Sequence, residues 1–172
     1  IRRYNGGTLE KILKCLDSGN KKKALEIFSE NQIGEAIVQK NKIMQSANRG
    51  MDLIIQQLNG FLVAPTHGIA INYISIGTGN TTPAVTDTQL TAETNRAVGV
   101  YSQDSGFDEL MLQSFFPDSA MVNQTYYEVG SFIDGTSSPN SGQIFNHALL
   151  DTPYIKVAGQ DTTIEIEITF SQ

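Results

Sequence analysis

Short apolar–polar alternations recur through the last two thirds of this chain, and they restrict it to a sheet-rich fold. The cleanest runs from Thr162 to Phe170, where Ile164, Ile166, Ile168 and Phe170 alternate with Thr163, Glu165, Glu167 and Thr169. Successive strand side chains point to opposite faces, so this segment predicts a sheet with one buried and one wet face. Comparable segments are Ile69 to Ile76, Ala97 to Gln103, Phe107 to Phe116, Gln124 to Ile133 and Gln143 to Leu150. Turn-rich stretches such as Asp104-Ser105-Gly106, residues 134–142 and Ala158-Gly159-Gln160-Asp161 separate them. Strands joined by such short connections predict an antiparallel β-sandwich.

Before Pro65 the periodicity is helical. Thr8 is a credible N-cap for Leu9, Ile12, Leu13 and Leu16, with Gly19 as a stop, and a second helix spans Lys21 to Glu30. A third is expected from about Asn31 or Gln32 to Leu58, bent or broken near Gly34 and Gly50. Its apolar residues Ile33, Ile37, Ile43, Met51, Ile54, Ile55 and Leu58 form an expected docking stripe. The fold class expected is α+β, an N-terminal helical segment followed by an antiparallel β-sandwich. Residues 1–60 form the docking and assembly segment and residues 61–172 the sandwich domain.

Charge divides at the same place. Residues 1–60 hold ten Lys/Arg against six acids, a net +4, whereas residues 61–172 hold only Arg96 and Lys156 against twelve acids, a net −10. Such asymmetry suggests separate jobs for the two ends, with head-to-tail attraction between copies as one of them. Arg2, Arg3 and Tyr4, followed by Asn5-Gly6-Gly7, read as an extended assembly arm reaching an acidic neighbouring subunit.

The negative total argues against nucleic acid, because duplex binding rests on many cation–phosphate contacts. Lys21-Lys22-Lys23 reads as a solvated helix start. A single cysteine, Cys15, rules out an intrachain disulfide framework. No apolar stretch approaches the roughly 20 residues of a membrane span, so no membrane partner is expected.

Several residues invite chemistry. Gly77-Thr78-Gly79 closes a strand as in a nucleotide site, yet the third glycine is missing, Pro83 ends the loop and no lysine stands at the phosphate-cradling spacing. A turn between a strand and a short helix fits better. His67 and His147 are the only imidazoles and neither sits in a catalytic motif, so both are read as structural or surface residues. One cysteine and two distant histidines offer no zinc spacing; loop acids such as Asp118, Asp134 and Asp151 stay open as calcium ligands, although no loop has the alternating oxygen-ligand spacing of an EF-hand. Glu165 and Glu167 share a strand face, as a glycosidase pair would, but the chain lacks Trp for sugar stacking. Glu93 and Arg96, at i, i+3 on the short helix expected after Asp87, can pair locally; alternatively Arg96 turns inward to Glu128. Either way Glu93, Arg96 and Glu128 are expected to form a structural ion pair. No catalytic residue, cofactor or metal is expected.

A spaced pattern over about residues 50–172 resembles a recurrent tailed-bacteriophage virion domain, similar to tail-collar fibre N-terminal regions and other small phage structural proteins. It comprises Tyr73 to Gly79, Thr82-Pro83-Ala84, Asp87-Thr88, Leu90, Glu93, Arg96, Tyr127-Glu128-Val129-Gly130, Phe132, Ala148-Leu149, Lys156 and Ile168-Thr169-Phe170. The resemblance implies a β-rich, non-enzymatic virion module located in the particle, whose partners are other virion proteins and further copies of itself, a trimer being favoured. Tail, collar or baseplate fibre attachment is the leading reading. Capsid decoration is the alternative, and a host-surface glycan hydrolase the third.

Overall fold

The computed structural model describes residues 1–45, 47, 49–58, 70–103 and 109–169. In chain order these form β1 (Arg2–Asn5), α1 (Thr8–Asp17), α2 (Lys21–Asn31), β2 (Lys42–Ile43), α3 (Gly50–Leu58), β3 (Ile71–Gly77), β4 (Glu93–Val98), β5 (Val100–Gln103) and β6 (Glu109–Phe116). A 3-10 turn (Asp118–Ala120), β7 (Thr125–Ile133), β8 (Gln143–Ile155) and β9 (Gln160–Thr169) follow. The chain is mixed α+β and dominated by two antiparallel sheets, one ordered β1-β9-β6-β5 and the other β2-β8-β7-β3-β4.

The two compact units are not the two sides of residue 60. One comprises residues 1–38, 101–124 and 155–172, and the other residues 39–100 and 125–154. Backbone pairing explains the difference from the division expected on charge: β1 pairs with β9, drawing the basic beginning and acidic end of the sequence into one sheet.

In the first unit, β6 and β9 run antiparallel with Leu112 opposite Ile166 and Ser114 opposite Ile164. Ile164, Ile166 and Ile168 are buried along one face, as their alternation requires. On the other face the α1–α2 pair packs Leu9, Ile12 and Ala24 with Cys15, Ile27, Phe28 and Phe115. Thr8, Leu9 and Ile12 are the buried positions of α1; of the spacing read from the sequence Leu9 and Ile12 face inward, whereas Leu13 and Leu16 are exposed and Gly7, not Thr8, is the N-cap. Asn20 caps α2 by accepting from the Lys23 N–H.

The expected N-terminal arm is instead an edge strand of its own chain. Tyr4 is buried and meets the Phe28 ring edge-on at 5.3 Å. Arg2 lies over β9 with its Nε 2.9 Å from Glu165, and the Ile33 N–H donates to the Arg3 carbonyl. Burying the Tyr4 ring contributes roughly 1.5–3 kcal/mol, and with the β1–β9 ladder it offsets an ordering cost of about 1–2 kcal/mol per residue of the arm.

The expected long third helix is not formed. Gln32 ends α2 in extended conformation, and Gly34 has φ 66°, a left-handed value incompatible with helix propagation. Lys42–Ile43 then pairs with β8 opposite His147 and Asn146, and helix resumes only at Gly50. The docking stripe is therefore divided. Ile33 and Ile37 belong to the first unit, and Ile43, Met51, Ile54 and Ile55 to the second. On α3 the buried residue is Leu53, whereas Met51 and Ile55 are exposed. The side chain of Leu58, together with His67, Asp104–Gly106 and Phe170, lies outside the described residues.

In the second unit β3 lies between β7 and β4, with Ser75 opposite Gly130 on one side and Arg96 on the other. Met44, Leu90, Phe132 and Ile144 form a core cluster beside Tyr73. The short helix expected after Asp87 is absent; Glu93–Val98 is a strand paired with β3. The Thr91 and Ala92 N–H groups go to the buried Glu128 carboxylate instead of to carbonyls one helical turn back.

Candidate functional site

The second unit is organised around Glu128, a fully buried carboxylate in the middle of β7. A buried charge is tolerated only when hydrogen bonds replace the lost water. Here Oε1 accepts from Ala92 N–H at 2.7 Å and Gly79 N–H at 3.1 Å, while Oε2 accepts from Thr91 N–H at 2.9 Å. All three donors belong to the segment 78–92 that links β3 to β4, so one side chain pins both ends of that segment.

This approach explains the Gly-x-Gly sequence. A Cβ on Gly77 would lie 2.5 Å from Glu128 Oε1, and one on Gly79 would lie 2.5 Å from the same oxygen and from Thr91. The glycines leave room for a carboxylate from the neighbouring strand, much as glycines elsewhere admit a phosphate. The turn anticipated at Gly77 is present as the end of β3, with a register shift at Ile76/Gly77.

His147, buried on β8, completes the arrangement. Its Nε2 lies 2.9 Å from Glu128 Oε2 and its Nδ1 lies 2.8 Å from Asp87 Oδ2. Asp87 Oδ2 also accepts the Ala84 N–H at 3.0 Å. Burial alone would push the imidazole pKa down, but hydrogen bonds to Glu128 and then Asp87, reinforced by their charges, raise it above its ordinary value. Burial alone would push Glu128 up, and the bonds from His147, Ala92 and Thr91 bring it below the usual carboxylate value. The two flanking carboxylates thus stabilise the protonated form of the ring.

A second cluster holds the turn between β7 and β8. Arg96 binds Glu93 through two contacts of 2.5 and 2.8 Å, both side chains being almost fully buried. Its Nη1 donates to the carbonyls of Thr136 and Ser141 and to Ser141 Oγ, and its guanidinium lies 4.7 Å from the Phe132 ring centroid. Glu93 accepts the Asn140 N–H at 3.0 Å. The pair thus forms between neighbours on β4 rather than on a helix. Glu128 takes no part in it, because its oxygens face the 78–92 backbone and His147.

In the first unit Lys156 is fully buried, with Nζ 2.5 Å from Asp118 and 2.8 Å from the Val157 carbonyl. Asp161 accepts the Leu9 and Asp118 N–H groups, tying α1 and the 3-10 turn to the start of β9. Glu165 and Glu167 go to different partners. Glu165 accepts from Arg2 and Gln113, whereas exposed Glu167 accepts from the Thr169 hydroxyl. Among the described residues no group of three or more His, Cys, Asp or Glu side chains is placed to hold a metal ion, and no helix is long and apolar enough to cross a membrane.

No known protein family, curated protein or solved structure matches this chain.

The fold joins residues that stand far apart in the chain. Asp87, Glu128 and His147 are distant in sequence, and no local spacing links them. The available signal was the presence of Glu128 and His147 within otherwise apolar strands, where each needs a buried partner.

Proposed function

We propose that the chain is a non-enzymatic structural protein of a tailed-phage virion, anchoring or joining a tail, collar or baseplate fibre through self-association. The observation that carries the reading is the coincidence of two residue sets. Gly77, Gly79, Asp87, Glu93, Arg96, Glu128 and Phe132, which carry the resemblance to phage virion domains, are also the residues whose contacts hold segment 78–92 and the 134–142 turn. A pattern concentrated in framework contacts fits a virion module better than one concentrated in a cleft.

The chemistry of the cluster favours the same reading. Both ring nitrogens of His147 face carboxylates, and Glu128 receives three backbone donors, so these groups support loops instead of offering a base. Leu13, Leu16 and Leu25 are exposed on the helical pair and offer apolar surface to other virion proteins. The expected β-sandwich and a trimeric state are part of this proposal.

Labelling the protein in purified particles of the phage that encodes it tests the proposal. Label at the tail, collar or baseplate, in tens of copies at most, supports it. Label across the head in hundreds of copies would transfer the chain to capsid decoration, and absence from the particle would overturn both.

A further inference from the structure

We propose that His147 is a proton-operated latch on segment 78–92, closed when the imidazole is charged and released at its Asp87 corner when the proton leaves. The argument rests on donor count. A carboxylate accepts only, and a neutral imidazole has one N–H, whereas both nitrogens of His147 lie within 2.9 Å of a carboxylate oxygen. The charged ring satisfies both contacts. Deprotonation leaves two lone-pair-bearing atoms face to face at one of them.

The two sides are unequal, and this sets which one opens. Glu128 is fully buried and fixed by three backbone amides, so losing its ring donor would strand a charge without water. The Asp87 side chain is 27% exposed and can take water in place of the ring. The neutral form therefore keeps Nε2–H on Glu128 and releases Asp87. The titratable groups facing the ring are Glu128 from β7 and Asp87 from the segment itself. From β2, Lys42 stands opposite His147 in the ladder and directs its Nζ to the Pro83 carbonyl, 2.9 Å away. That ammonium is engaged by the Pro83 carbonyl and not by the ring, so it does not operate the latch.

Release frees a defined part of the segment. Asp87 holds the Ala84 N–H through its carboxylate and donates its own N–H to the Ala84 carbonyl, and the neighbouring Val85 carbonyl accepts the Gln45 N–H at 2.9 Å. Asn80, Thr81, Thr82 and Thr86 are exposed, so the latch controls how this tip is presented. Leu90 and the Glu128-bound amides stay anchored in either state.

Amide exchange measured by NMR on the full chain between pH 5 and pH 9, corrected for intrinsic rates, tests the latch. Protection at Gln45, Ala84 and Asp87 is expected to fall about tenfold or more in step with the His147 ring titration. Thr91, Ala92 and the β3·β7 amides should keep theirs. His67→Gln should leave the profile unchanged and His147→Gln should abolish its pH dependence. If His147→Gln does not fold, Asp87→Asn should loosen the tip at low pH and lower the His147 midpoint. Equal protection at pH 5 and 9 would overturn the latch. So would an unchanged profile in Asp87→Asn, or loss of the Glu128-bound amides before Ala84.

Discussion

A single methyl group at residue 79 would meet Glu128 Oε1 and the Thr91 side chain, each 2.5 Å away. Gly79→Ala should therefore cost about 1–3 kcal/mol of unfolding free energy in urea, through overpacking and not through backbone strain. Glu128→Gln keeps the shape of the residue but removes the charge opposite His147, and a loss of about 3–5 kcal/mol is expected in the same assay. The pH dependence has two limbs. The His147 contribution is complete below pH 6.5 and lost as pH rises through its raised folded-state pKa. The Glu128 contribution is complete above pH 4.5 and lost as pH falls through its lowered folded-state pKa. Subtracting the urea stability of His147→Gln from that of the parent at each pH should give a difference that shrinks toward alkaline pH. At this scale the sequence was legible in type but not in partnership. His147 could be read as structural, yet its Asp87 and Glu128 contacts cross sixty and nineteen positions.

Elements with a strong local period matched the sequence, and those decided by distant partners did not. Leu9 and Ile12 announce α1, and Ile164, Ile166 and Ile168 announce β9. The 31–58 stripe had an apolar count suited to a helix, but Gly34 at φ 66° and the pairing of Lys42–Ile43 with β8 divide it. Likewise, Glu93 and Arg96 have helical spacing but lie on a strand because β3 supplies the ladder and Glu128 takes the Thr91 and Ala92 N–H groups. Two predictions belong here. Arg96→Met should lower the melting temperature by several degrees, since about 3 kcal/mol is lost when a buried pair is broken, and amide protection around Thr136 and Ser141 should fall with it. Deleting residues 1–7 removes β1 and Tyr4 from the first unit's sheet. Circular dichroism melts should show a clear loss of stability, where a solvated arm would leave them unchanged.

Across the whole molecule, the charge asymmetry has a different meaning from the one the sequence suggested. Basic residues near the beginning and acidic residues near the end share one unit, and Arg2 bonds Glu165 within the chain. Part of the attraction expected between copies is thus satisfied inside one copy. Apolar contact is left as the stronger candidate for self-association, with Leu13, Leu16 and Leu25 exposed on the helical pair. The proposal that this chain is an assembly part is tested most directly by sedimentation velocity of the purified protein over rising concentration. The expected result is a discrete homo-oligomer, with a trimer at three times the 18.8 kDa of one chain. A species that stays at the mass of a single chain at the highest concentration would contradict it.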